Sequence, residues 1–226
     1  MNQWLAPVKI YGITQDPETL NVMVVLQEMN LGSLRSNLMI KKYNPNDKYM
    51  DLYAITRMLS ALHDCNLIHG DFHSGNLLLK SLHIINISDF GLSKPANESN
   101  KSNKIYGVLP YIAPEVLRGK PFTKAADIYS LGIIMWEMTS GIPAFNSVPH
   151  DFNLSLDICK GLRPKIVKDT MPEYAELMER CWDSNADNRP TAKELVGYFV
   201  KWQNEFSSIY TERIPIPVEG LIILQN

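Results

Sequence analysis

The sequence predicts an α+β fold that is mainly helical, with a small β portion near its start. Two short runs rich in β-branched residues, 8–13 and 21–26, are typical of strands. Apolar residues recur at helical spacing over 52–62, and over 128–138 they cover most faces of the predicted helix. No period of roughly 20–50 residues recurs, which excludes a repeat fold.

The composition is that of an ordinary globular chain. Its 226 residues are 45% hydrophobic and 20% charged, which excludes a disordered chain, a coiled coil or a collagen. That length suffices for one large domain or two small ones. The net charge of −2 gives no electrostatic case for nucleic acid or an anionic membrane surface, so neither is expected as a partner.

The three cysteines favour a reducing compartment. Cys65, Cys159 and Cys181 are far apart and match no metal-ligand spacing. We therefore expect a cytoplasmic protein, in which Cys65 and Cys181 are buried thiols without chemistry. No signal or transit peptide is predicted, and the longest apolar stretch, around 131–138, is too short to span a bilayer.

The first elements in chain order form a hairpin and a short helix. The segment between the two β-rich runs contains Asp16-Pro17, a pair typical of turns, so we predict an antiparallel hairpin. Residues 30–34 predict a loop that opens a short helix. The polar stretch 37–48 is expected at the surface.

The middle of the chain predicts a helix, two strands and a loop. The helix through 52–62 is expected to end at 64–66. The apolar runs 77–79 and 84–87 predict strands, and the polar stretch 92–106 predicts a mobile surface loop.

The remainder is predicted to be helical from Thr123 onward. The helix over 128–138 is expected to be buried. Pro190 and Thr191, followed by Glu194, form the capping-box pattern of a helix start. The later helices are expected at 150–160, 173–182 and 191–206.

Three segments carry residues with chemical function: HGDFHSGN at 69–76, DFG at 89–91 and APE at 113–115. Each is weak alone, but their order and spacing are a strong signal. From about 8 to 206 the chain resembles the C-terminal lobe of a eukaryotic protein kinase, within the tyrosine-kinase-like group of Ser/Thr kinases. Residues 127–132 resemble the buried helix that anchors the catalytic loop of such kinases.

The resemblance implies a protein-kinase-like fold with four parts. They are an N-lobe remnant at 1–26, a hinge and linker at 27–35, a C-lobe at 36–206 and a C-terminal extension at 207–226. It also implies that Arg189 pairs with Glu115.

The resemblance implies ATP and Mg²⁺ as cofactors and a protein as substrate. Asp71 matches the catalytic base that accepts the proton of the acceptor hydroxyl. Asn76 and Asp89 match the magnesium ligands, and hard oxygen ligands suit Mg²⁺. The bland alternative for Asp71 is a helix-cap or turn carboxylate.

The adenine of ATP is expected at the hinge. Leu26, Gln27, Glu28 and Met29 align with that segment, with Leu26 as the gatekeeper, and Leu78 is expected to form the floor under adenine. Backbone groups of the hinge would make the hydrogen bonds.

Other residues of the motifs are expected to be structural. His69 and Phe90 match packing residues of the internal spine, and Asp127 is predicted to anchor rather than to catalyse. His73 is expected at the surface of the catalytic loop.

The start of the chain departs from the family pattern. No GxGxxG precedes Leu26, and Lys9 does not qualify as the phosphate-binding lysine, because no helix separates it from the hinge. The helix glutamate that would hold that lysine is also absent from these residues. Since charge stabilisation is usually the largest catalytic contribution, we expect the activity of this chain to be low.

Four further positions bear on regulation and on the choice of acceptor. Gly70 stands where most kinases carry an arginine that pairs with a phosphorylated activation segment, so we expect phosphorylation there not to be the usual switch. Tyr111, where tyrosine kinases usually carry tryptophan, favours Ser/Thr acceptors. Val108 and His73, in place of the usual threonine and lysine, leave tyrosine open as an acceptor.

Two competing functions come from different classes. The HGD pattern with an asparagine five residues later also resembles small-molecule phosphotransferases, but the segment 89–115 that closes with APE argues against them. A pseudokinase-like binding module or a truncated fragment is the stronger rival, because missing strands would expose the edge of the hairpin.

Overall fold

The structure is a computed structural model that describes residues 8–42, 45–81, 84–96 and 106–213; the side chains of 41–46 and of residues beyond 205 are not described. In chain order the elements are β1 (Ile10–Gln15), β2 (Val22–Leu26), α1 (Leu34–Lys42), α2 (Pro45–Asp64), β3 (Leu67–Ile68), β4 (Leu77–Ser81), β5 (Ile84–Ile87), β6 (Lys94–Pro95), α3 (Pro114–Leu117), α4 (Lys124–Ser140), α5 (Phe152–Cys159), α6 (Pro172–Cys181) and α7 (Ala192–Arg213). The predicted α+β fold, mainly helical with small sheets, is confirmed. Most of the predicted loop at 92–106 and nearly all of the C-terminal extension lie outside the described residues.

The predicted N-terminal hairpin is confirmed. β1 pairs with β2 in antiparallel register, from Ile10 opposite Leu26 to Gln15 opposite Val22. The Asp16 carboxylate accepts the N–H of Glu18 at 2.9 Å and so closes the turn. Every side chain of β2 is exposed, so the hairpin buries neither face.

The predicted strands over 77–79 and 84–87 form a second antiparallel hairpin, β4 with β5. The loop before α1 is attached to it, because Ser33 bridges to Leu78 and the Leu79 N–H donates to the Gly32 carbonyl at 2.8 Å. This attachment brings the hinge segment beside β4.

The expectation of an exposed stretch at 37–48 is wrong at its start, because α1 turns one face inward. Leu34 and Leu38, one helical turn apart, are both buried. Asn37 is buried with them, since its amide donates to the carbonyls of Leu31 and Ser33 at 2.8 Å each. A polar residue is tolerated there because its donors are paired.

The centre of the fold is α4, and its predicted burial is confirmed from Ala126 to Met138. The Thr123 hydroxyl caps its start, and Gly141 in the left-handed region ends it. α4 packs against α1 and α6, while α2 packs along α7. Gly132 permits the close approach of α6, since a Cβ there would lie 2.9 Å from the Cβ of Cys181.

A buried ion pair joins distant parts of the helical lobe. Arg189 contacts both carboxylate oxygens of Glu115 at 2.7 Å and also donates to the Ala125 carbonyl at 2.9 Å. The predicted Arg189–Glu115 pair is therefore confirmed. The capping box is confirmed as well, with the Thr191 N–H 2.7 Å from the Glu194 carboxylate.

The predictions for the cysteines and for the last helix had different outcomes. Cys181 is buried as expected, but Cys65 is exposed because it lies in the turn after α2. The last predicted helix, 191–206, continues as α7 to Arg213. No helix in the described part of the chain is long and apolar enough to cross a membrane.

Candidate active site

The loop 69–76, between β3 and β4, is fixed by hydrogen bonds to α4. One carboxylate oxygen of Asp127 accepts the His69 N–H at 2.8 Å and lies 2.9 Å from Nε2 of His63. The other accepts the Gly70 N–H at 3.1 Å. Asp127 is only 2% exposed, so the prediction that it anchors the loop is confirmed.

Gly70 lies directly against the segment that follows the DFG motif. Its φ of +79° is in the left-handed region, and a Cβ there would lie 2.9 Å from the carbonyl oxygen of Leu92. The Ser93 hydroxyl donates to the His69 carbonyl at 3.2 Å. The departure from arginine at this position thus coincides with a backbone contact that leaves no room for a side chain.

Asp71 and Asn76 are brought together by the loop. The Asn76 amide nitrogen donates to the Asp71 carbonyl at 3.0 Å and lies 3.4 Å from Oδ2 of its carboxylate. Gly107 approaches from the other side, since a Cβ there would lie 3.2 Å from Asp71 Oδ1. Among the described residues no lysine or arginine forms an ion pair with Asp71, so its carboxylate keeps its acceptor capacity.

Asp89 comes to the same end of the β4–β5 hairpin as Asn76. The N–H and the hydroxyl of Ser88 both donate to the Asn76 carbonyl, at 2.8 and 2.9 Å. The next residue, Asp89, has a φ of +58° and an exposed carboxylate that accepts the Gly91 N–H at 3.3 Å. The structure therefore brings all three sequence-predicted catalytic residues into one neighbourhood.

The donor set at this end of the hairpin fits magnesium. The Asn76 amide nitrogen is engaged by Asp71, which leaves its oxygen as the free ligand atom. The Asp89 carboxylate adds a second hard oxygen ligand. In the described ranges no three His, Cys, Asp or Glu side chains form a metal-binding group, so an ion here would need phosphate and water oxygens as well.

His69 is a packing residue, as predicted. It is fully buried, and its Nε2 lies 3.0 Å from the Ser88 carbonyl oxygen. Its ring centroid lies 5.3 Å from that of Phe90 and 5.4 Å from that of Phe72. Phe90 contacts His69 as expected, yet half of its surface is exposed.

The expectation that His73 lies at the surface is wrong. The side chain folds back into the loop, where Nδ1 accepts the Gly75 N–H at 3.0 Å and Nε2 lies 3.6 Å from Asp71 Oδ1. Its ring centroid lies 5.6 Å from that of Tyr111. Burial lowers the pKa of His73, against the opposite influence of the Asp71 carboxylate.

The hinge residues lie between the hairpin and β4. The Gln27 N–H donates to the Lys9 carbonyl at 2.8 Å, and the Met29 carbonyl accepts the Gly32 N–H at 3.0 Å. Gln27 and Met29 are partly buried, whereas Glu28 is exposed. Leu26 is 50% exposed, so the described residues cover only part of the expected gatekeeper side chain.

Sequence reasoning missed a buried polar network beside the loop. The Tyr111 hydroxyl donates to Glu137 Oε1 at 2.6 Å and lies 3.0 Å from the Ser74 hydroxyl. Arg35 reaches the same hydroxyl at 3.3 Å, and Glu137 also accepts the Ala144 N–H at 2.8 Å. Burial raises the pKa of Glu137.

A signal for this network was present in the sequence. Glu137 is the one acidic residue in the apolar run 131–138, and a carboxylate on a helix that is apolar all round needs a buried partner.

Comparison with known proteins agrees with this geometry. A family model described as protein tyrosine and serine/threonine kinase matches residues 5–199. Serine/threonine-protein kinase STY17 of Arabidopsis thaliana is 31% identical over 185 residues, which cover 78% of this chain and 31% of that protein.

Two further relatives come from the same plant. Serine/threonine-protein kinase STY46 is 33% identical over 147 residues, 63% of this chain and 25% of that protein. Serine/threonine/tyrosine-protein kinase HT1 is 28% identical over 184 residues, 79% of this chain and 47% of that protein. The chain thus spans about a quarter to a half of the length of these three relatives.

Proposed function

This chain belongs to the protein tyrosine and serine/threonine kinase family, and we propose that it transfers the γ-phosphoryl group of ATP to serine or threonine hydroxyls of a protein substrate. The observation that carries the proposal is the cluster of Asp71, Asn76 and Asp89 at one end of the β4–β5 hairpin. Phosphoryl transfer depends mainly on positioning and charge stabilisation, and this cluster supplies a base and two oxygen ligands.

Asp71 is the proposed general base. Its carboxylate is partly buried and, within the described residues, pairs with no lysine or arginine, so it can accept the proton of an acceptor hydroxyl. The Asn76 amide beside it restrains Oδ2. The loop around it is fixed by Asp127, which limits how far the carboxylate can move.

Asn76 and Asp89 are the proposed magnesium ligands. Bound Mg²⁺ would neutralise charge on the phosphates of ATP. The role of the chain is to present the Asn76 amide oxygen and the Asp89 carboxylate from adjacent positions, which the two Ser88 hydrogen bonds support.

Leu26, Gln27, Glu28, Met29 and Leu78 are the proposed adenine site. Within the described residues the Gln27 carbonyl and the Met29 N–H make no hydrogen bond, so one acceptor and one donor are free for a purine edge. Leu78 is partly buried in β4, and the bridge from Ser33 fixes its distance from the hinge.

The proposal includes low activity for these 226 residues alone. They contain no glycine-rich loop, strand lysine or helix glutamate ahead of Leu26. The exposed hairpin supports this part, because Ile13 and Val22 are 74% and 71% exposed on a sheet that no described element covers. The proposed division stays 1–26 for the N-lobe remnant, 27–35 for the hinge, 36–206 for the C-lobe and 207–226 for the extension.

The same hairpin favours a second candidate, a catalytically inactive binding module. Its apolar side chains, and strand edges that pair with no other described strand, form a surface that partner chains can add to. The two candidates differ in whether the chain binds and uses Mg·ATP.

The test is transfer of labelled γ-phosphate from Mg·ATP by the purified chain to generic Ser/Thr and Tyr acceptors. We expect weak transfer to Ser/Thr that is lost in Asp89→Asn and kept in Asp157→Asn, an exposed carboxylate on α5. A folded chain with neither transfer nor a Mg·ATP-dependent thermal shift would overturn the kinase proposal in favour of the binding module. Robust turnover would overturn only the low-activity part.

A further inference from the structure

His73 occupies a position that the family usually gives to lysine, yet it is not a surface cation here. Only 8% of the residue is exposed, so the side chain is buried within the loop. The charged and titratable groups near it are Asp71, Arg35, His69 and Asp89, which come from the loop itself, from α1 and from the DFG segment. The ring therefore lies within the proposed site, beside Asp71.

The hydrogen bonds of His73 assign its tautomer. The Gly75 N–H donates to Nδ1 at 3.0 Å, and a nitrogen that accepts a hydrogen bond carries no proton. The single ring proton of the neutral imidazole then lies on Nε2. A protonated imidazolium could not make this contact, because both of its nitrogens are donors.

Nε2 faces the proposed base. It lies 3.6 Å from Asp71 Oδ1, while the Asn76 amide nitrogen lies 3.4 Å from Oδ2. Two N–H donors thus flank the carboxylate, one at each oxygen. Both distances are longer than a full hydrogen bond, as catalytic contacts commonly are before substrate binds and tightens them.

Gly75 is needed for this arrangement. A Cβ at position 75 would lie 2.8 Å from Cε1 and 2.9 Å from Nδ1 of His73, and 3.6 Å from the Arg35 guanidinium carbon. The ring of Tyr111 stands on another side of the imidazole, with the centroids 5.6 Å apart. The position of the His73 ring therefore requires glycine at position 75, where no side chain occupies the space.

We propose that His73 is a positioning residue for Asp71, a neutral donor whose tautomer is set by the Gly75 N–H and whose Nε2–H orients the carboxylate toward the acceptor hydroxyl. The inference rests on the proposed function of Asp71 as the base. It differs from the lysine pattern, because a neutral imidazole adds no positive charge to the site. Its contribution is to orient the Asp71 carboxylate. Loss of this orientation should lower the turnover rate rather than weaken substrate binding.

The first test needs no catalysis. ¹⁵N NMR of the chain labelled at its five histidines, with His73→Gln to assign the signal, should show an unprotonated Nδ1 and a protonated Nε2 for His73. Gly75→Ala should convert the signal to a mixture of tautomers, and Asp71→Asn should shift the Nε2 resonance. A proton on Nδ1 would overturn the proposal.

The second test separates kcat from KM in the phosphate-transfer assay. His73→Phe, which keeps a ring but no donor, should lower kcat by about 100-fold with both KM values little changed. His73→Gln, which can place an N–H near the same point, should recover part of that loss. His150→Phe, at an exposed ring far along the chain, is the matched control and should leave kcat unchanged.

The outcomes distinguish this inference from the proposed function. An unchanged kcat in His73→Phe overturns the positioning role while the kinase proposal stands. A chain without any turnover that still shows the Nε2–H tautomer and its response to Asp71→Asn counts against the kinase proposal and supports the orientation of the carboxylate by His73.

Discussion

The N-terminal hairpin and α4 are both rich in large apolar side chains, yet one exposes them and the other buries them. Val24 in β2 is 55% exposed, whereas Ile133 in α4 is fully buried. The difference lies in the neighbours, since α4 is covered by α1 and α6, while in the part of the chain that the structure describes the hairpin strands pair only with each other. An apolar sequence therefore shows that an element has side chains suited to burial. Whether they are buried depends on the elements that pack against it.

This difference divides the molecule into a part that carries the site and a part that borders it. Asp127 and Glu137, both on α4, hold the loop 69–76 and Tyr111. The hairpin ends at the segment predicted as the hinge. Damage to the helical lobe should therefore disturb stability and the Asp71 cluster together, whereas damage to the hairpin away from Leu26 should affect neither strongly.

The largest expected change in the free energy of unfolding comes from a variant in the helical lobe. Arg189→Ala leaves the buried Glu115 carboxylate without its partner, which should lower the free energy of unfolding by about 3–5 kcal/mol. Urea denaturation measures it. Lys201→Ala, which breaks an exposed pair with Glu205, is the control and should cost about 0–1 kcal/mol. Equal losses in the two variants would contradict the special role of the buried pair.

An intermediate effect comes from Lys48, on the same lobe. Burial lowers the pKa of Lys48 from its ordinary 10.5 to about 8, although its ammonium lies 4.6 Å from the centre of the Tyr174 ring. Between these two pH values the unfolded chain binds more protons than the folded one, so the free energy of unfolding should rise with pH.

Lys48→Met isolates this contribution. The variant should be more stable than the parent at pH 7, and the difference between them should shrink as the pH rises from 8 toward 10.5. Lys193→Met, at an exposed lysine, should change neither stability nor its pH dependence. Parallel pH profiles for Lys48→Met and the parent would show that the ammonium is solvated after all.

The smallest expected effect is on the hairpin. Ile13→Ser removes a side chain that is 74% exposed, so the free energy of unfolding should change by no more than about 0.5 kcal/mol. Ile133→Ala in α4 is the matched core variant and should cost about 2–5 kcal/mol. If Ile13→Ser destabilised the chain as much, the hairpin would be part of the cooperative core.

Several features of the fold could be predicted from residues that lie close together in the sequence. The hairpin turn at Asp16 and the capping box at Thr191 depend on residues a few positions apart, which is why sequence reasoning found them. The ordered motifs likewise predicted which acidic and amide side chains would meet.

The remainder depends on contacts between distant residues. The burial of His73 results from the bend at Gly75 and from Tyr111, 38 positions along the chain. Glu137 is explained only once Tyr111 lies beside it. Periodicity and propensity do not reveal such pairs, because they describe each segment without its neighbours.

The spacing of the two carboxylates of α4 makes the number of residues between them important. Asp127 and Glu137 are ten residues apart, a span of about 15 Å along a helix that rises about 1.5 Å per residue. One additional residue between them would turn Glu137 by about 100° about the helix axis and remove it from Tyr111. Substitutions within α4 can be absorbed by repacking, but an insertion or deletion there would stop Asp127 and Glu137 from holding the loop 69–76 and Tyr111 at the same time.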